Sequence, residues 1–262
     1  MQSHQGDKPT VLLVHGMWSN QDTLKEVQDT FIDQGYPTEA LQLPYHCSKE
    51  EHTPESQASL AKMRLQNYVG HVIERVKQQS TPPILVGHSM GGLLVQLVAA
   101  QVPCQRLILL SSAAPAGING LSISAIRTLG SNLLRFPLWK KITEVKLENV
   151  RYGLANSQSS ELQQEIAKNC TYESGMATLQ ISMGLMLRSY SAAHVNAEKI
   201  KCPVLIIGGT ADRITSIGVQ RNIAKRFGAQ CKLVEITDCC HWTVSGKYFP
   251  QIQSKIVDWL TT

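Results

Sequence analysis

A serine that could act as a nucleophile lies in the pentapeptide Gly87-His88-Ser89-Met90-Gly91. An apolar run at residues 84–86 precedes it, and a helical pattern over residues 90–101 follows. This setting is typical of a nucleophile elbow, a tight turn that lifts the serine side chain clear of a sheet. The local pattern alone leaves open an ordinary turn between a strand and a helix.

A serine hydroxyl needs a base within hydrogen-bond reach, and the base needs an acid to orient it. After an elbow, the acid and then the base follow along the chain at the ends of later strands. The apolar run 204–207 has a glycine-rich exit that leads to Asp212, and the run 232–236 leads into a loop with His241. We therefore predict Ser89 as nucleophile, Asp212 as acid and His241 as base.

Two other carboxylates compete with Asp212 for the role of acid. Asp238 lies only three residues before His241 in the same loop, and Glu235 lies just before that loop. Asp212 is favoured because it follows a buried strand directly. Taken singly, such an aspartate is often a helix cap and a loop histidine is often only solvated, so the prediction depends on the order of all three residues.

An acyl-transfer site also needs donors for the oxyanion. The backbone N–H of Met90, directly after the nucleophile, is one candidate. The second is the N–H of Met17, because His15-Gly16 lets the chain turn sharply after the first apolar run. We assign His15 a structural role as a hydrogen bonder that holds this loop.

Short apolar runs rich in β-branched residues alternate with amphipathic helical patterns, which predicts a mostly parallel sheet covered on both faces. The predicted strands are residues 11–14, 39–43, 84–86, 106–110, 204–207 and 232–236. The predicted helices are residues 23–34, 57–79, 90–101, 216–227 and 248–260.

The alternation is interrupted once, between Ser111 and about Ile200. This stretch has no strong strand signal and shows helical patterns at residues 160–168 and 173–190. We expect a cap or lid over one end of the sheet. The predicted domains are an α/β core, residues 1–112 and 200–262, and a helical cap insertion, residues 113–199.

Composition excludes several classes of protein. The chain has 262 residues, a net charge of +5 and 43% hydrophobic residues, as in an ordinary globular protein. Its basic residues are scattered, so no nucleic-acid partner is expected. No apolar run reaches the roughly 18 residues of a membrane span, and the first residues do not form a signal peptide. These features predict a cytoplasmic protein.

The seven cysteines are an odd number with spacings that match no disulfide or zinc framework. Free, mostly buried thiols are expected, in keeping with a reducing compartment. No metal-ligand spacing is evident, so no metal and no cofactor is predicted.

The chain resembles the α/β-hydrolase superfamily, in its serine esterase and lipase-like branch with a cap insertion. The matching residues are His15-Gly16-Met17-Trp18, Gly87-His88-Ser89-Met90-Gly91-Gly92, Asp212 in Gly208-Gly209-Thr210-Ala211-Asp212-Arg213, and His241. The resemblance covers residues 9–260. It implies a three-layer α/β/α fold with about six strands, fewer than the family often has, because little chain precedes the first strand.

The resemblance also implies a serine hydrolase that cleaves carboxylic esters through an acyl-enzyme intermediate, with a small-molecule ester as its partner. Small or medium apolar acyl esters are expected. Thioester hydrolysis, lysophospholipid or monoacylglycerol cleavage, and other serine-dependent acyl transfer remain open, as does a non-catalytic small-molecule receptor. The residues expected to form the substrate pocket are Trp18, His88, Met183, Met186 and Trp242.

Overall fold

The computed structural model describes residues 8–130, 132 and 135–261. Residues 1–7 and 262, assigned above to the core, and residues 131, 133 and 134, assigned to the cap, lie outside this description. The described strands are β1 Val11–Val14, β2 Thr38–Leu41, β3 Ile84–His88, β4 Arg106–Leu110, β5 Ile142–Thr143, β6 Glu173–Ser174, β7 Val204–Gly209 and β8 Cys231–Ile236.

Helices cover the sheet and fill the insertion. They are α1 Lys25–Asp33, α2 Pro54–Ala61, α3 Leu65–Lys77, α4 Met90–Ala99, α5 Ile123–Leu129, α6 Leu147–Asn149, α7 Ser160–Asn169, α8 Gly175–Ser182, α9 Gly184–Leu187, α10 Ile217–Phe227 and α11 Phe249–Leu260.

The central sheet contains six strands in the order β2-β1-β3-β4-β7-β8, and all neighbouring pairs are parallel. Strand β3, which leads to Ser89, lies between β1 and β4. The α/β fold class and the six-stranded parallel sheet predicted from the sequence are confirmed. All parallel strands point the same way, so the loops after β1, β3, β7 and β8 meet at one edge.

Two apolar cores, one on each face of the sheet, explain why the strands read as continuous hydrophobic runs. Leu85 of β3 packs on one face with Tyr68 of α3 and Leu93 of α4. Its neighbour Val86 points to the other face, where α1 and α11 contribute side chains such as Phe31. The side-chain alternation of a strand therefore buries both of its faces.

One predicted helix is wrong in extent. The pattern at residues 57–79 is two helices, α2 and α3, separated at residues 62–64. The backbone N–H of Arg64 donates to the side chain of Asn67, and the N–H of Leu65 donates to Gln180 in the insertion. These side chains accept hydrogen bonds from the first backbone N–H groups of α3 and so stabilise its start. The periodicity of the apolar residues continues across the break and does not reveal it.

Among the described residues, the insertion contains five α-helices, several short 3₁₀ or π-helical turns, and a short antiparallel ribbon of β5 and β6. The first two residues of the predicted helix at 173–190 are therefore strand, and the remainder is divided between α8, α9 and a final 3₁₀ turn. Strands of two residues are too short to give a recognisable alternation. The division into core and cap domains stays a prediction.

Among the described residues, none of the helices combines the length and the apolar character that crossing a bilayer requires. A cytoplasmic location stays a prediction.

Helix α4 lies in very close contact with the strands because two glycines have no side chain. A Cβ atom at Gly91 would lie 2.1 Å from the carbonyl oxygen of Val14, and one at Gly87 would lie 2.3 Å from that of Gly91. Both distances are far below van der Waals contact. The start of α4 can therefore sit directly against β1 and β3.

Gly91→Ala should lower the free energy of unfolding by about 1–3 kcal/mol, because the helix must move away from Val14. The matched control is Gly70→Ala within α3, where a Cβ meets nothing within 4 Å. That substitution should raise stability by about 0.5–1 kcal/mol, because alanine favours helix. Urea denaturation measures both values, and equal shifts would contradict the close-contact argument.

Candidate active site

Ser89 lies in a strained turn between β3 and α4. Its φ is +53° and its ψ is −118°, a backbone conformation that a non-glycine residue adopts at a cost of about 1–3 kcal/mol. The Ser89 N–H donates to the Leu110 carbonyl at 3.0 Å, and its carbonyl accepts from Ala113 N–H at 2.8 Å. These bonds fix the turn and keep the side chain at the edge of the sheet.

A hydrogen-bonded chain links the three residues that the sequence analysis selected. Nε2 of His241 lies 2.9 Å from Oγ of Ser89, and Nδ1 lies 2.9 Å from Oδ2 of Asp212. His241 and Asp212 are 3% and 6% exposed, so little water competes for these bonds. The structure thus brings all three together, although 152 residues separate Ser89 from His241.

Asp212 is held in place by the chain that follows it. Its Oδ1 accepts the backbone N–H groups of Ile214 at 2.8 Å and Thr215 at 2.9 Å. Burial by itself raises the pKa of Asp212, but the charge and hydrogen bond of His241 together with these N–H groups bring the pKa below its usual value. A buried carboxylate therefore stays ionised beside His241.

The two rival carboxylates lie elsewhere. Asp238 is exposed, and Glu235 makes a bidentate ion pair with Arg221 at 2.7 Å. Within the described part of the chain, neither Asp238 nor Glu235 hydrogen-bonds to His241. Glu235 lies on β8, and its pairing with Arg221 of α10 keeps it away from the edge where the loops meet.

His88, within the elbow sequence, supports His241 from behind. Its Nε2–H donates to the backbone carbonyl of His241 at 3.0 Å. Burial, and then the neighbouring His241, lower the pKa of His88 to about 3. His88 therefore stays neutral at physiological pH and acts as a fixed hydrogen-bond donor.

Met17 and Met90 line the same cavity as Ser89. Met90 is the first residue of α4, where backbone N–H groups lack partners within the helix and carry partial positive charge. Met17 follows β1 in a loop that comes close to the elbow. The distance shows this, since a Cβ added at Gly16 would lie only 3.0 Å from Cβ of Ser89. Both predicted oxyanion donors thus belong to segments that border the serine.

The β5–β6 ribbon of the insertion holds the Met17 loop. Thr171 N–H donates to the Trp18 carbonyl at 2.8 Å, and the Trp18 indole N–H donates to Oγ1 of Thr143 at 3.0 Å. Thr143 in turn donates to the Glu173 carbonyl at 3.3 Å. Trp18 has a φ of +56°, so these bonds maintain a backbone conformation that is unfavourable without support.

A buried cluster of hydrogen-bonded polar side chains lies beneath this loop. Nε2 of His46 lies 2.9 Å from Oε2 of Glu173, and both side chains are fully buried. Tyr68 donates its hydroxyl to the other Glu173 oxygen at 2.8 Å, and Nδ1 of His46 faces the Pro44 carbonyl at 3.1 Å. Both nitrogens of His46 thus face oxygen atoms, which fixes the orientation of the ring.

His15 makes the structural contacts that its position in the sequence predicts. Its Nδ1 lies 2.9 Å from the Gly16 carbonyl, and its Nε2 accepts the Leu43 N–H at 3.3 Å. Burial and then the charge of His46, whose ring centroid lies 5.0 Å away, hold the pKa of His15 well below its usual value. The neutral ring connects the cluster to the Met17 loop.

An apolar cavity opens beside Ser89, with about 700 Å³ of empty space including its mouth. One wall comes from the core, and the other from α5, α8 and α9. The lining residues are Met17, Ser89, Met90, Ala113, Ala114, Ile118, Gly120, Leu121, Ala125, Leu129, Thr178, Ile181, Ser182, Gly184, Leu185, Ile214 and Thr215.

None of the five predicted pocket residues lines this cavity. Trp18 and Trp242 are nearly buried and border a separate polar groove, and His88 lies behind His241. Met183 faces an outer groove, and Met186 is 79% exposed. Both methionines lie on the outer side of the α8–α9 segment, away from Ser89.

The residues that do line the cap side share a helical spacing. Thr178, Ile181, Ser182 and Leu185 recur at intervals of three and four, which places them on one face of α8 and α9. From the sequence, Met183 and Met186 are predicted in this segment instead, because half of the lining face, Thr178 and Ser182, is small and hydroxylated. The spacing was the available signal.

Residues 5–245 match the sequence model of a family described as serine aminopeptidase, S33. The chain belongs to this family. The motifs therefore identified the α/β-hydrolase superfamily correctly, and this S33-family hydrolase is an enzyme of the hydrolase class.

Known proteins resemble the S33-family hydrolase along most of its length. Monoacylglycerol lipase ABHD6 of Rattus norvegicus is 25% identical over an alignment of 272 positions, which covers 96% of this chain and 75% of that protein. The solved structure of the Paleococcus ferrophilus monoacylglycerol lipase matches with a TM-score of 0.72 at 18% identity, and the match covers 97% of this chain and 95% of that one. A pyrethroid hydrolase from Sphingobium faniae JZ-2 has a TM-score of 0.67 at 18% identity and 96% coverage of each chain.

Thr143→Val should lower kcat for a p-nitrophenyl ester by roughly tenfold or more. Complete loss of one oxyanion donor would lower kcat about 10²–10³-fold, which is the upper bound expected here. The substitution removes the acceptor of the Trp18 indole N–H, so the Met17 loop loses its support. The KM should change less than kcat, since the cavity wall formed by α5, α8 and α9 keeps its contacts.

Thr143→Ser is the matched control, because it keeps the hydroxyl and should restore kcat. Thermal denaturation of both variants separates general destabilisation from a local effect. Equal losses of kcat in the valine and serine variants would contradict the role of this hydrogen bond.

Proposed function

We propose that Ser89, His241 and Asp212 form the catalytic triad of a serine ester hydrolase. The observation that carries the proposal is the buried hydrogen-bonded chain from Asp212 through His241 to a serine at the mouth of an apolar cavity. Belonging to a hydrolase family, and similarity to monoacylglycerol lipases, support the same reading.

In the proposed reaction, Oγ of Ser89 attacks the ester carbonyl carbon while Nε2 of His241 takes its proton. The carbonyl oxygen becomes an oxyanion, which the N–H groups of Met17 and Met90 stabilise. The ionised Asp212 holds His241 in the required tautomer and stabilises its positive charge. The tetrahedral intermediate then collapses, His241 protonates the leaving alcohol, and an acyl-enzyme remains.

Deacylation repeats these steps with water as the nucleophile. His241 takes a proton from water, the hydroxide attacks the acyl carbon, and the same two amides hold the second oxyanion. Collapse releases the carboxylic acid and returns the proton to Ser89. Each of the three side chains thus ends the cycle in its starting state.

For the substrate, we propose an ester with an apolar acyl chain of medium length that occupies the cavity. No charged side chain belongs to the described lining of this cavity. A free peptide amino terminus would therefore find no carboxylate there, which favours esters over the peptides of the family's descriptive name. The names of the relatives make monoacylglycerols the first substrates to test.

We also propose that residues 113–199 act as the cap that completes this cavity. Helices α5, α8 and α9 supply one wall of it, while Ser89 and Met17 belong to the core. An acyl chain bound there would be shielded from water on both sides. The cap would thus select the acyl group, and the core would carry out the reaction.

Ser89→Ala should lower kcat/KM for p-nitrophenyl butyrate roughly 10⁴–10⁶-fold, because the nucleophile is lost. Ser182→Ala is the matched control, since that serine lines the same cavity and its hydroxyl donates to the Thr178 carbonyl of its own helix. Little change is expected there. Turnover in Ser89→Ala equal to wild type would overturn the proposed mechanism.

Ala125→Phe should reduce kcat/KM for an octanoate ester by roughly tenfold or more, with a much smaller effect on acetate. A phenyl group at Ala125 would fill part of the cavity between α5 and α8. Ile126→Phe is the control, because Ile126 is 48% exposed and is not part of the lining. A uniform loss on both esters would argue that the acyl chain lies elsewhere.

A further inference from the structure

Two cysteines that are far apart in sequence meet at the end of the sheet away from Ser89. Cys104 lies just before β4 and Cys202 just before β7, and these strands are parallel neighbours with Leu107 opposite Val204. Their Sγ atoms are 3.4 Å apart across 98 residues of sequence. No spacing rule applied to the sequence alone would pair them.

The pair is accessible from solvent. An open groove on the surface is lined by both thiols, and Lys199 and Lys201 line it too. Cys104 is partly exposed and Cys202 is 8% exposed. The two ammonium groups give the groove positive charge, which attracts an anionic reagent.

The hydrogen bond between the two sulfur atoms divides their roles. It couples the ionisation of the two thiols, lowering the pKa of Cys202 and raising the pKa of Cys104. Cys202 is therefore the better nucleophile of the pair. Burial raises the pKa of Cys170 and of Cys231 to about 12. The hydrogen bond with Cys239 lowers the pKa of Cys240 to about 6, but Cys240 is fully buried, so a reagent in solvent does not reach it.

We propose that Cys104 and Cys202 are a thiol–disulfide exchange site that is oxidised to an intramolecular disulfide by anionic low-molecular-weight disulfides such as glutathione disulfide. The Cys202 thiolate attacks one sulfur of the small disulfide, and one small thiolate leaves as a mixed disulfide forms. Cys104 then loses its proton to solvent and attacks Sγ of Cys202, and the second small thiolate leaves. Two protein thiols are oxidised, and one small disulfide is reduced to two thiols.

The closed bond would act on stability and leave the site unchanged. It joins chain segments on either side of residues 113–199, so the loop it closes contains the whole insertion. Closing a loop of this length restricts the unfolded chain, which should raise the Tm by roughly 5–10 °C. Ser89 follows the carboxyl end of β3, whereas the thiols precede the amino ends of β4 and β7, so ester hydrolysis should keep its rate.

The test treats the reduced full-length protein with glutathione disulfide in the absence of oxygen. Peptide mass mapping without reduction should find the Cys104 and Cys202 peptides joined, and the Tm should rise as predicted and return with dithiothreitol. Absence of this joined peptide, or a joined peptide without a rise in Tm, would overturn the proposal. Neither readout depends on the hydrolytic activity, so failure here is distinct from failure of the proposed function.

Two variants establish the roles of the thiols. In Cys104→Ser, a glutathione adduct should accumulate on Cys202, because the second thiol is missing. Cys47→Ser is the matched control, because Cys47 is also partly exposed, and burial raises the pKa of its thiol. The control should form the disulfide as wild type does. Equal glutathione labelling of Cys47 and Cys202 in Cys104→Ser would contradict a specific exchange site.

Discussion

The site depends on the close contact between the first turn of α4 and the strands β1 and β3. Hydrogen atoms in place of side chains at Gly87 and Gly91 let backbone meet backbone at distances that a Cβ would forbid. Only then can the chain reverse at Ser89, with its unfavourable φ, and present Oγ to His241. The same contact brings the loop after β1 beside the serine, so the oxyanion donors and the nucleophile share one constraint.

The core and the insertion contribute differently to the chemistry. The core holds Ser89, His241 and Asp212 through parallel strands whose ends meet at one edge. The insertion contributes the apolar wall, and it also supports the Met17 loop through Thr143 and the ribbon. The proposed transition-state stabilisation therefore depends on both parts. The orientation of the base does too, because Gln158 of the insertion donates to the Trp242 carbonyl next to His241, and Asn156 donates to the Ala211 carbonyl next to Asp212.

The sequence was sufficient where the signal is local. Buried strands with glycine-rich exits led to Ser89 and Asp212, and the order of the loops led to His241. It was insufficient where partners come from distant segments: Glu173 meets His46 across 127 residues, and α3 begins after a break that a side chain of α8 helps to stabilise. The cavity wall was missed for another reason, since small residues such as Thr178 and Ser182 do not stand out as hydrophobic.

The buried pair of Glu173 and His46 has a consequence for building hybrid enzymes from this scaffold. Glu173 enters with the insertion, whereas His46 and Tyr68 belong to the core. An insertion from another enzyme that lacks this carboxylate would leave the buried side chains of His46 and Tyr68 without this hydrogen-bond partner, which would lower the free energy of unfolding. Exchange between relatives should therefore move Glu173 together with its two hydrogen-bond partners, and leave the outer helices free to vary.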